Sequence, residues 1–433
     1  MSRQIALTGN THRDTPRLKH VLSGLISGGT PDTNNDDYWA DGDEGVAWVS
    51  IGDMSTKARV TATEKMITDS GIASKRLRIM PPGTLIFSMY ASMGHVAELA
   101  IPATINQALL GFEFGIHVDP AFVKWWLRHL QPLLVAEASS NTQDNLNADK
   151  VKNLPFPKIH ICHQTFIANY LDRETARIDG LIAEKERMLA LLEEKRAALI
   201  SRAVTRGLDP HAPLKPSGHE WLGEIPAHWE IQPIKYLAVV GNGSTPSVEN
   251  ADYWDDEGYP WLNSSVVNVS PATNASRFVT EAALRECHLP TIQPPAVLVG
   301  ITGQGKTRGM ASVMGIEATI NQHLAFIKPR TQELDTEFLY YLLGHAYAFL
   351  RSDSDGAGST KGAITCEQLA NMKIPVPPGD EQIEICTRIR QSLDVSEPLR
   401  SEIQTSLDLL TERRSALITA AVTGQIPLEE MQA

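Results

Sequence analysis

KRAALI at residues 195–200 returns as RRSALI at residues 413–418, 218 positions further along the chain. Around each stretch, apolar residues recur every seven positions, which is the spacing of a coiled coil. The pattern predicts one long helix over 164–206 and a second over 382–424. About 40 residues at about 1.5 Å each make a rod of roughly 60 Å. Two matching long helices in one chain are the feature that decides the fold.

The two predicted helices can pack on each other as a pseudo-symmetric, antiparallel pair, because their apolar seams match. Gly180 and Pro398 occupy equivalent positions, and we expect both helices to bend or restart there. The predicted seam consists of Leu171, Ile178, Leu192 and Leu199 in the first helix and Ile389, Ile403, Leu410 and Leu417 in the second.

The repeat extends outward from the helices over nearly the whole chain. Short β-rich runs precede each helix and are bounded by Gly, Pro, Asn and Asp, which is typical of a compact mixed domain. The matched pieces are TP at 30–31 and 245–246, DYW at 37–39 and 252–254, PGTLI at 82–86 and PAVLV at 295–299, and ATINQ at 103–107 and 318–322.

The predicted fold is therefore of the α+β class, with two mixed domains joined by two long helices in an antiparallel coiled coil. A segment rich in Pro, Gly and His joins the two copies. The predicted limits are 1–157 for the first domain, 158–207 for the first helix, 208–229 for the joint, 230–377 for the second domain and 378–433 for the second helix and tail.

Composition excludes several classes of protein. No run approaches the roughly 18 apolar residues of a membrane helix, and residues 1–15 lack the apolar core of a secretory signal, so a cytoplasmic location is expected. The four cysteines have no metal-ligand or CxxC spacing. A net charge of −12 argues against a nonspecific coat on nucleic acid, which is usually basic. It permits a subunit that depends on more basic partners.

One motif indicates chemistry of its own. GITGQGKT at 300–307 fits the phosphate-binding loop pattern and follows a strand-like run. Such a loop needs a helix behind it to receive the phosphates, whereas two glycines follow here. The equivalent stretch of the first copy lacks the pattern. Nucleotide binding therefore stays as an alternative, and no constellation of residues indicates catalysis or a metal site.

Residues that both copies share are expected to be scaffold. These include the Asn-Gln pairs at 106–107 and 321–322 and the Tyr-Trp pairs at 38–39 and 253–254. Loops that differ between the copies are the candidates for recognising different bases: 50–59 against 263–269, 88–95 against 302–308, and 139–145 against 357–363. The candidate DNA-binding residues are Lys57, Arg59, Ser88, Tyr90, Ser92, Asn141, Gln143, Asn263, Thr302, Gln304, Lys306, Arg308, Ser359, Thr360 and Lys361.

The joint reads SGHEWLGEIPAHW at 217–229. Together with the paired TP…YW segments, the Asn-Gln pairs and the PVPP run before Glu381-Gln382, it makes the chain similar to the specificity subunits of type I restriction-modification systems. The first copy departs from this pattern, with His163 where the second has Glu381, which puts the start of the first helix in question.

The resemblance implies that each domain recognises one half of an asymmetric, bipartite DNA sequence and that the helices set the gap. It also implies two methyltransferase (modification) subunits docked on the helices and separate motor-nuclease (restriction) subunits. S-adenosylmethionine, ATP and Mg would then be bound by those partners, and this chain would be a non-catalytic subunit without a cofactor. A nonspecific coiled-coil scaffold is the remaining alternative.

Overall fold

The computed structural model describes residues 16–42, 44–55, 57–90, 92–140, 146–303, 305–330, 332–356 and 362–432. The chain divides into two compact units. The first comprises residues 1–185 and 405–433, and the second comprises residues 186–404. Each unit thus holds one mixed domain and a part of both long helices.

The first domain precedes the first long helix. Its strands are β1 (Leu22–Ser27), β2 (Trp39–Ala40), β3 (Val46–Val49), β4 (Arg59–Val60), β5 (Lys65–Ile67), β6 (Leu85–Ser88), β7 (Val96–Leu99), β8 (Ala103–Ile105) and β9 (Leu109–Phe114). Its helices are α1 (Ile51–Met54), α2 (Asp69–Lys75), α3 (Pro120–Ser140) and α4 (Ala148–Lys152), with 3-10 turns at Leu18–His20 and Asp36–Tyr38. The long helix α5 (Ile161–Arg206) follows.

The second half of the chain repeats this order. Its strands are β10 (Leu214–Pro216), β11 (Glu224–Pro226), β12 (Glu230–Pro233), β13 (Ala238–Asn242), β14 (Trp254–Leu262), β15 (Arg277–Val279), β16 (Val297–Gly300), β17 (Ala311–Val313), β18 (Thr319–Ile320), β19 (Leu324–Pro329) and β20 (Lys373–Val376). Its helices are α6 (Ile234–Leu237), α7 (Glu281–Glu286), α8 (Thr336–His345), α9 (Tyr347–Gly356), α10 (Cys366–Asn371) and α11 (Gly379–Val422), with 3-10 turns at Ala251–Tyr253, Ser264–Asn268 and Glu430–Gln432.

Equivalent sheets form in the two domains. The order β1-β9-β6-β7-β4 in the first matches β13-β19-β16-β17 in the second. Strands β6 and β16 are buried along their whole length. Because side chains alternate across a strand, Phe87 packs into the core beneath α3 while Ile86 packs into the core on the other face. In the second domain Val299 and Leu298 divide between two cores in the same way.

Strand register corrects the sequence alignment of the two copies. Leu85 pairs with Phe112 and Val297 pairs with Ile327, so β6 and β16 differ by 212 positions, from 85 to 297. The sequence match of PGTLI with PAVLV placed the offset at 213. The prediction was wrong because apolar residues fill both faces of these strands, and composition alone does not fix their register. At the offset of 212, Tyr90 is equivalent to Thr302, and Ser88 is equivalent to Gly300.

Both long helices are continuous, and they begin at equivalent residues. Helix α5 starts at Ile161 and α11 at Gly379, again 218 positions apart, so the His163 departure does not move the helix start. A bend or a restart was expected at Gly180 and Pro398, and the helices do not restart there. Pro398 is exposed, so water can reach the carbonyl group that its missing N–H leaves without a helical partner.

Within each unit the two helices run antiparallel. In the first unit Asp179 pairs with Arg414 at 2.7 Å, while the earlier Leu171 shares a core with the later Val422. In the second unit Glu193 pairs with Arg400 at 2.8 Å, and the later Val204 shares a core with the earlier Ile389. This direction agrees with the predicted fold class.

The predicted seam residues differ in burial. Leu171, Ile178, Ile389 and Ile403 are buried, whereas Leu192, Leu199, Leu410 and Leu417 are half-buried. The tail after α11 also contributes to a core, because Met431 is buried and Ile426 and Leu428 pack against the first-domain cluster. That cluster therefore depends on residues from both ends of the chain.

A buried glutamine ties each domain to its long helix. Gln382 accepts a hydrogen bond from the Asp335 N–H at 2.8 Å and donates to the carbonyls of Glu333 and Pro377 at 2.7 and 2.8 Å. Asp335 in turn caps helix α8. Gln164, its counterpart, accepts from the Asp119 N–H and donates to a nearby carbonyl. The first residues of each long helix are thereby fixed to the helix that covers the sheet.

Candidate nucleic-acid interface

Polar residues gather where two neighbouring strands end in each domain. Strands β3 and β8 are parallel, as are β14 and β18, so their carboxyl ends lie at one edge of each small sheet. The first edge carries Ser50 and the pair at 106–107, and the second carries Asn263 and the pair at 321–322. At these edges, which we call the strand-end edges, lies Asn263 of the predicted DNA-binding residues, and Thr302 contacts His323 directly after the second pair.

The shared Asn-Gln pairs build these edges. The Asn106 side chain accepts a hydrogen bond from the Ala108 N–H at 3.1 Å, and Asn321 accepts one from the His323 N–H at 3.0 Å. Thr30 donates to Gln107, and Thr245 donates to Gln322 in the same way. Both copies use these side chains in the same local bonds, as expected of a frame that the two domains share.

Glycine is required beside each pair because the backbones approach closely. A Cβ atom at Gly28 would lie 2.0 Å from the Asn106 carbonyl oxygen, and one at Gly243 would lie 1.7 Å from the Ile320 oxygen. No side chain fits at such distances. The glycine before each TP motif therefore lets the chain pass directly over the end of β8 or β18.

The Tyr-Trp motifs anchor the same region. The rings of Trp39 and Trp48 meet edge to face with centroids 5.1 Å apart, and those of Trp254 and Trp261 meet in the same way at 5.3 Å. All four indole N–H groups donate to backbone carbonyls. The predicted anchoring role is confirmed. Arg277 stacks on Trp254 with its guanidinium carbon 3.6 Å from the ring centre.

One ionisable group of these motifs has a shifted acidity. The Tyr253 hydroxyl donates to the Glu286 carboxylate at 2.9 Å. This hydrogen bond, with the adjacent negative charge, raises the pKa of the Tyr253 phenol. Tyr253 therefore remains neutral and a hydrogen-bond donor at neutral pH.

The same backbone frame presents different side chains in the two domains. The Met89 N–H donates to the Ala108 carbonyl at 2.9 Å, and the Ile301 N–H donates to the His323 carbonyl at 2.9 Å. The residues that follow Met89 and Ile301 are Tyr90 and Thr302. An exposed tyrosine and an alanine in the first domain thus correspond to a threonine and an exposed histidine in the second.

In the second domain these side chains form a hydrogen-bonded group. Thr302 Oγ1 lies 2.6 Å from His323 Nδ1, and Gln322 Nε2 lies 3.3 Å from His323 Nε2. His323 was not among the predicted residues. The signal that could have found it is the change from Ala108 to His323 directly after an otherwise identical Asn-Gln pair.

The loop after β16 is a connection between antiparallel strands and not a phosphate-binding loop. Strand β17 follows it where a nucleotide-binding helix is required, and the Gly309 N–H donates back to the Gly300 carbonyl at 2.8 Å. Tyr347 donates to the Lys306 carbonyl at 3.0 Å, and Arg351 donates to the Gly305 carbonyl. These bonds contradict the nucleotide-hydrolase alternative, because a phosphate-binding loop points its backbone N–H groups at its ligand from a helix start.

Two of the predicted contact residues are buried. Ser88 is inaccessible, and its hydroxyl donates to the Tyr90 carbonyl at 2.7 Å, so it shapes the loop from inside. Arg308 is 5% exposed. Both predictions are corrected, since these side chains do not face solvent. Lys306, in contrast, is exposed.

The remaining candidates lie on the surface or outside the described residues. Arg59 lies in β4 and pairs with Glu98 at 3.4 Å, Lys57 is exposed, and Ser92 is half-buried. Asn263 caps the turn after β14 by accepting from the Ser265 N–H. The candidates outside the described residues are Asn141, Gln143, Gln304, Ser359, Thr360 and Lys361.

The long helices carry exposed apolar residues. In the second unit these are Met188, Leu191, Ile383, Val395 and Leu399, with Val395 79% exposed. In the first unit they are Leu181 and Leu409. Within the described ranges no cluster of His, Cys, Asp and Glu could hold a metal ion, and no helix there is long and apolar enough to cross a membrane.

Comparison with known proteins gives one consistent family. Residues 226–404 match the model of the type I restriction modification DNA specificity domain. The putative type I restriction enzyme MjaX specificity subunit of Methanocaldococcus jannaschii is 24% identical over 83% of this chain and 81% of its own length. The MjaIX specificity subunit of the same organism is 22% identical over 96% of this chain and 94% of its own length.

A solved structure shares the fold. It comes from work on complex assembly and conformational transition of the type I restriction-modification system. It superposes with a TM-score of 0.71, covers 95% of this chain and 98% of that chain, and is 17% identical. At that identity the match establishes the architecture and no more.

Proposed function

The chain belongs to the specificity subunits of type I restriction-modification systems, and on that basis we propose that its two domains each recognise one half of an asymmetric, bipartite DNA target. The observation that carries the proposal is the shared frame with exchanged side chains at the strand-end edges. Tyr90 and Ala108 in one domain, and Thr302 and His323 in the other, stand on matching backbone hydrogen bonds. The same backbone hydrogen bonds carrying different exposed side chains are what two domains that recognise different DNA sequences require.

The long helices are the proposed docking surface for two methyltransferase subunits. Exposed apolar residues on a helix of a folded protein indicate a partner when they occur together. In the second unit Met188 and Leu191 on α5, with Val395 and Leu399 on α11, provide such residues. Leu191→Glu is expected to weaken co-purification of the methyltransferase subunit at least tenfold. Val248→Glu, at an exposed apolar residue outside the helices, is the matched control and is expected to leave it unchanged.

We assign the chemistry to the partners. S-adenosylmethionine would be bound by the methyltransferase subunits, and ATP and Mg by the motor-nuclease subunits, while this chain supplies sequence recognition. The strand-end edges offer hydroxyls, amides and an imidazole, which are groups that can contact the edges of bases. The net charge of −12 also suits a subunit that relies on partners for nonspecific DNA affinity.

The proposal is tested by co-expressing the chain with its methyltransferase subunit in a host without DNA methylation. Mapping N6-methyladenine over the genome is expected to give one two-part motif with a fixed gap, absent when this chain is omitted. An active, assembled complex that methylates without any sequence preference would instead establish the scaffold alternative.

A further inference from the structure

The hydrogen-bonded group at the second strand-end edge leaves two donors uncommitted. Thr245 donates to the Gln322 carbonyl oxygen, which turns the amide nitrogen of Gln322 towards His323 Nε2 at 3.3 Å. His323 Nε2 then accepts, so the ring proton is on Nδ1 and is donated to Thr302 Oγ1 at 2.6 Å. Among the described residues, the Thr302 hydroxyl hydrogen and the second amide hydrogen of Gln322 have no acceptor.

His323 is well placed to fix these donors. Its N–H is held by Asn321 at 3.0 Å and its carbonyl by the Ile301 N–H at 2.9 Å, so its backbone is anchored on both sides. Its ring contacts the two side chains that carry the free donors. Because both ring nitrogens are used, the imidazole orients its neighbours and has no polar atom left for a ligand.

The first domain lacks this arrangement. Ala108 occupies the position of His323 and Tyr90 that of Thr302, although the backbone bonds and the Thr30–Gln107 bond are the same. The shared parts therefore need no histidine to fold. The histidine belongs to what the second domain alone presents.

We propose that His323 is a positioning residue for specificity, and that Thr302 and Gln322, which it orients, recognise guanine in the second half of the DNA target. In the major groove guanine offers two acceptors, N7 and O6, whereas adenine offers one acceptor and one donor. A glutamine usually recognises adenine with its carbonyl oxygen and its amide together. Here Thr245 already donates to that oxygen, so the amide hydrogen of Gln322 is the group left to contact a base, and Thr302 supplies a second donor.

The proposal rests on the proposed function and predicts a result within the same methylation assay. The second half of the motif is expected to contain an invariant G·C pair. His323→Ala is expected to reduce discrimination at that one base pair about tenfold, within the range measured for a paired base contact. His323→Gln is expected to restore much of it, because its amide can donate to Thr302 and its oxygen can accept from Gln322. The first half of the motif is expected to stay unchanged in both variants.

Matched controls separate the possible failures. His117→Ala replaces an exposed histidine of the first domain outside the strand-end edge and is expected to change neither half. A thermal melt confirms that His323→Ala is folded. A two-part motif that His323→Ala leaves unaltered would overturn the inference and keep the proposed function. An invariant A·T pair at the position affected by His323→Ala would also overturn it. Absence of any motif with wild-type protein would overturn the proposed function itself.

Discussion

Replacing Gln382 by leucine tests how the second domain is fixed to its long helix. The side chain is fully buried and makes three hydrogen bonds, at 2.7 to 2.8 Å. Leucine nearly conserves the volume, so the packing around the site is kept while all three bonds are lost. At about 1 kcal/mol per net hydrogen bond, the free energy of unfolding of the second unit falls by about 3 kcal/mol. A larger loss is expected if water cannot reach the abandoned groups.

The equivalent substitution in the other copy allows the losses in free energy of unfolding of the two units to be compared. Gln164 makes two such hydrogen bonds, so Gln164→Leu is expected to destabilise the first unit by about 2 kcal/mol. Gln391→Leu, on the exposed surface of α11, is the control and is expected to change stability by less than about 0.5 kcal/mol. Hydrogen exchange followed by mass spectrometry reports each unit separately, through peptides from α3 and α8. A change below about 1 kcal/mol for Gln382→Leu would refute the assigned role.

Three further predictions follow from the same structure. Gly243→Ala is expected to destabilise the second unit by about 3 kcal/mol in urea unfolding, because its Cβ would lie 1.7 Å from the Ile320 oxygen. Gly305→Ala is the control and is expected to have a smaller effect, because the space around Gly305 is open. Burial lowers the pKa of His129. The first unit is therefore expected to lose stability as pH falls below about 6.5, because the unfolded chain then binds a proton that the folded unit does not. In urea unfolding at several pH values His129→Gln is expected to reduce that loss, and an unchanged pH dependence would contradict the prediction. Lys306→Ala is expected to weaken binding of the assembled complex to all DNA sequences alike and to reduce the salt slope by about one, and a change in motif would argue against a phosphate contact.

The sequence predicted the helical half of this fold closely. Helices α5 and α11 begin three residues before the predicted starts of 164 and 382, and their ends at Arg206 and Val422 lie within two residues of those predicted. The predicted and observed ends of the helices agree because a long run of apolar residues at seven-residue spacing defines where a helix extends. Gly180 and Pro398 do not interrupt the helices, because exposed positions of a long, packed helix tolerate both residues.

The recognition surface was harder to predict. The alignment of β6 with β16 was wrong by one position, because both strands are apolar on both faces. At the offset of 213 Thr302 would stand opposite Met89, whereas the structure places it opposite Tyr90. Ser88 and Arg308 are polar and lie near loops, yet they are buried. Burial depends on contacts between distant parts of the chain, which a linear pattern does not contain.

The contact of the C-terminal tail with the first domain also joins distant parts of the chain. Met431 is buried in a cluster that begins at Leu18. The sequence assigned the tail to the second helix, its neighbour along the chain. No local pattern connects residues more than 400 positions apart, and only the packed structure does.

The proposed function requires that the two domains recognise their halves of the target independently. The most direct measurement replaces residues 230–377 with the corresponding domain of a specificity subunit whose target is known, and maps methylation by the assembled complex. The second half of the motif is expected to become that of the donor while the first half is retained. A folded, active complex in which both halves change, or in which neither changes, would contradict it.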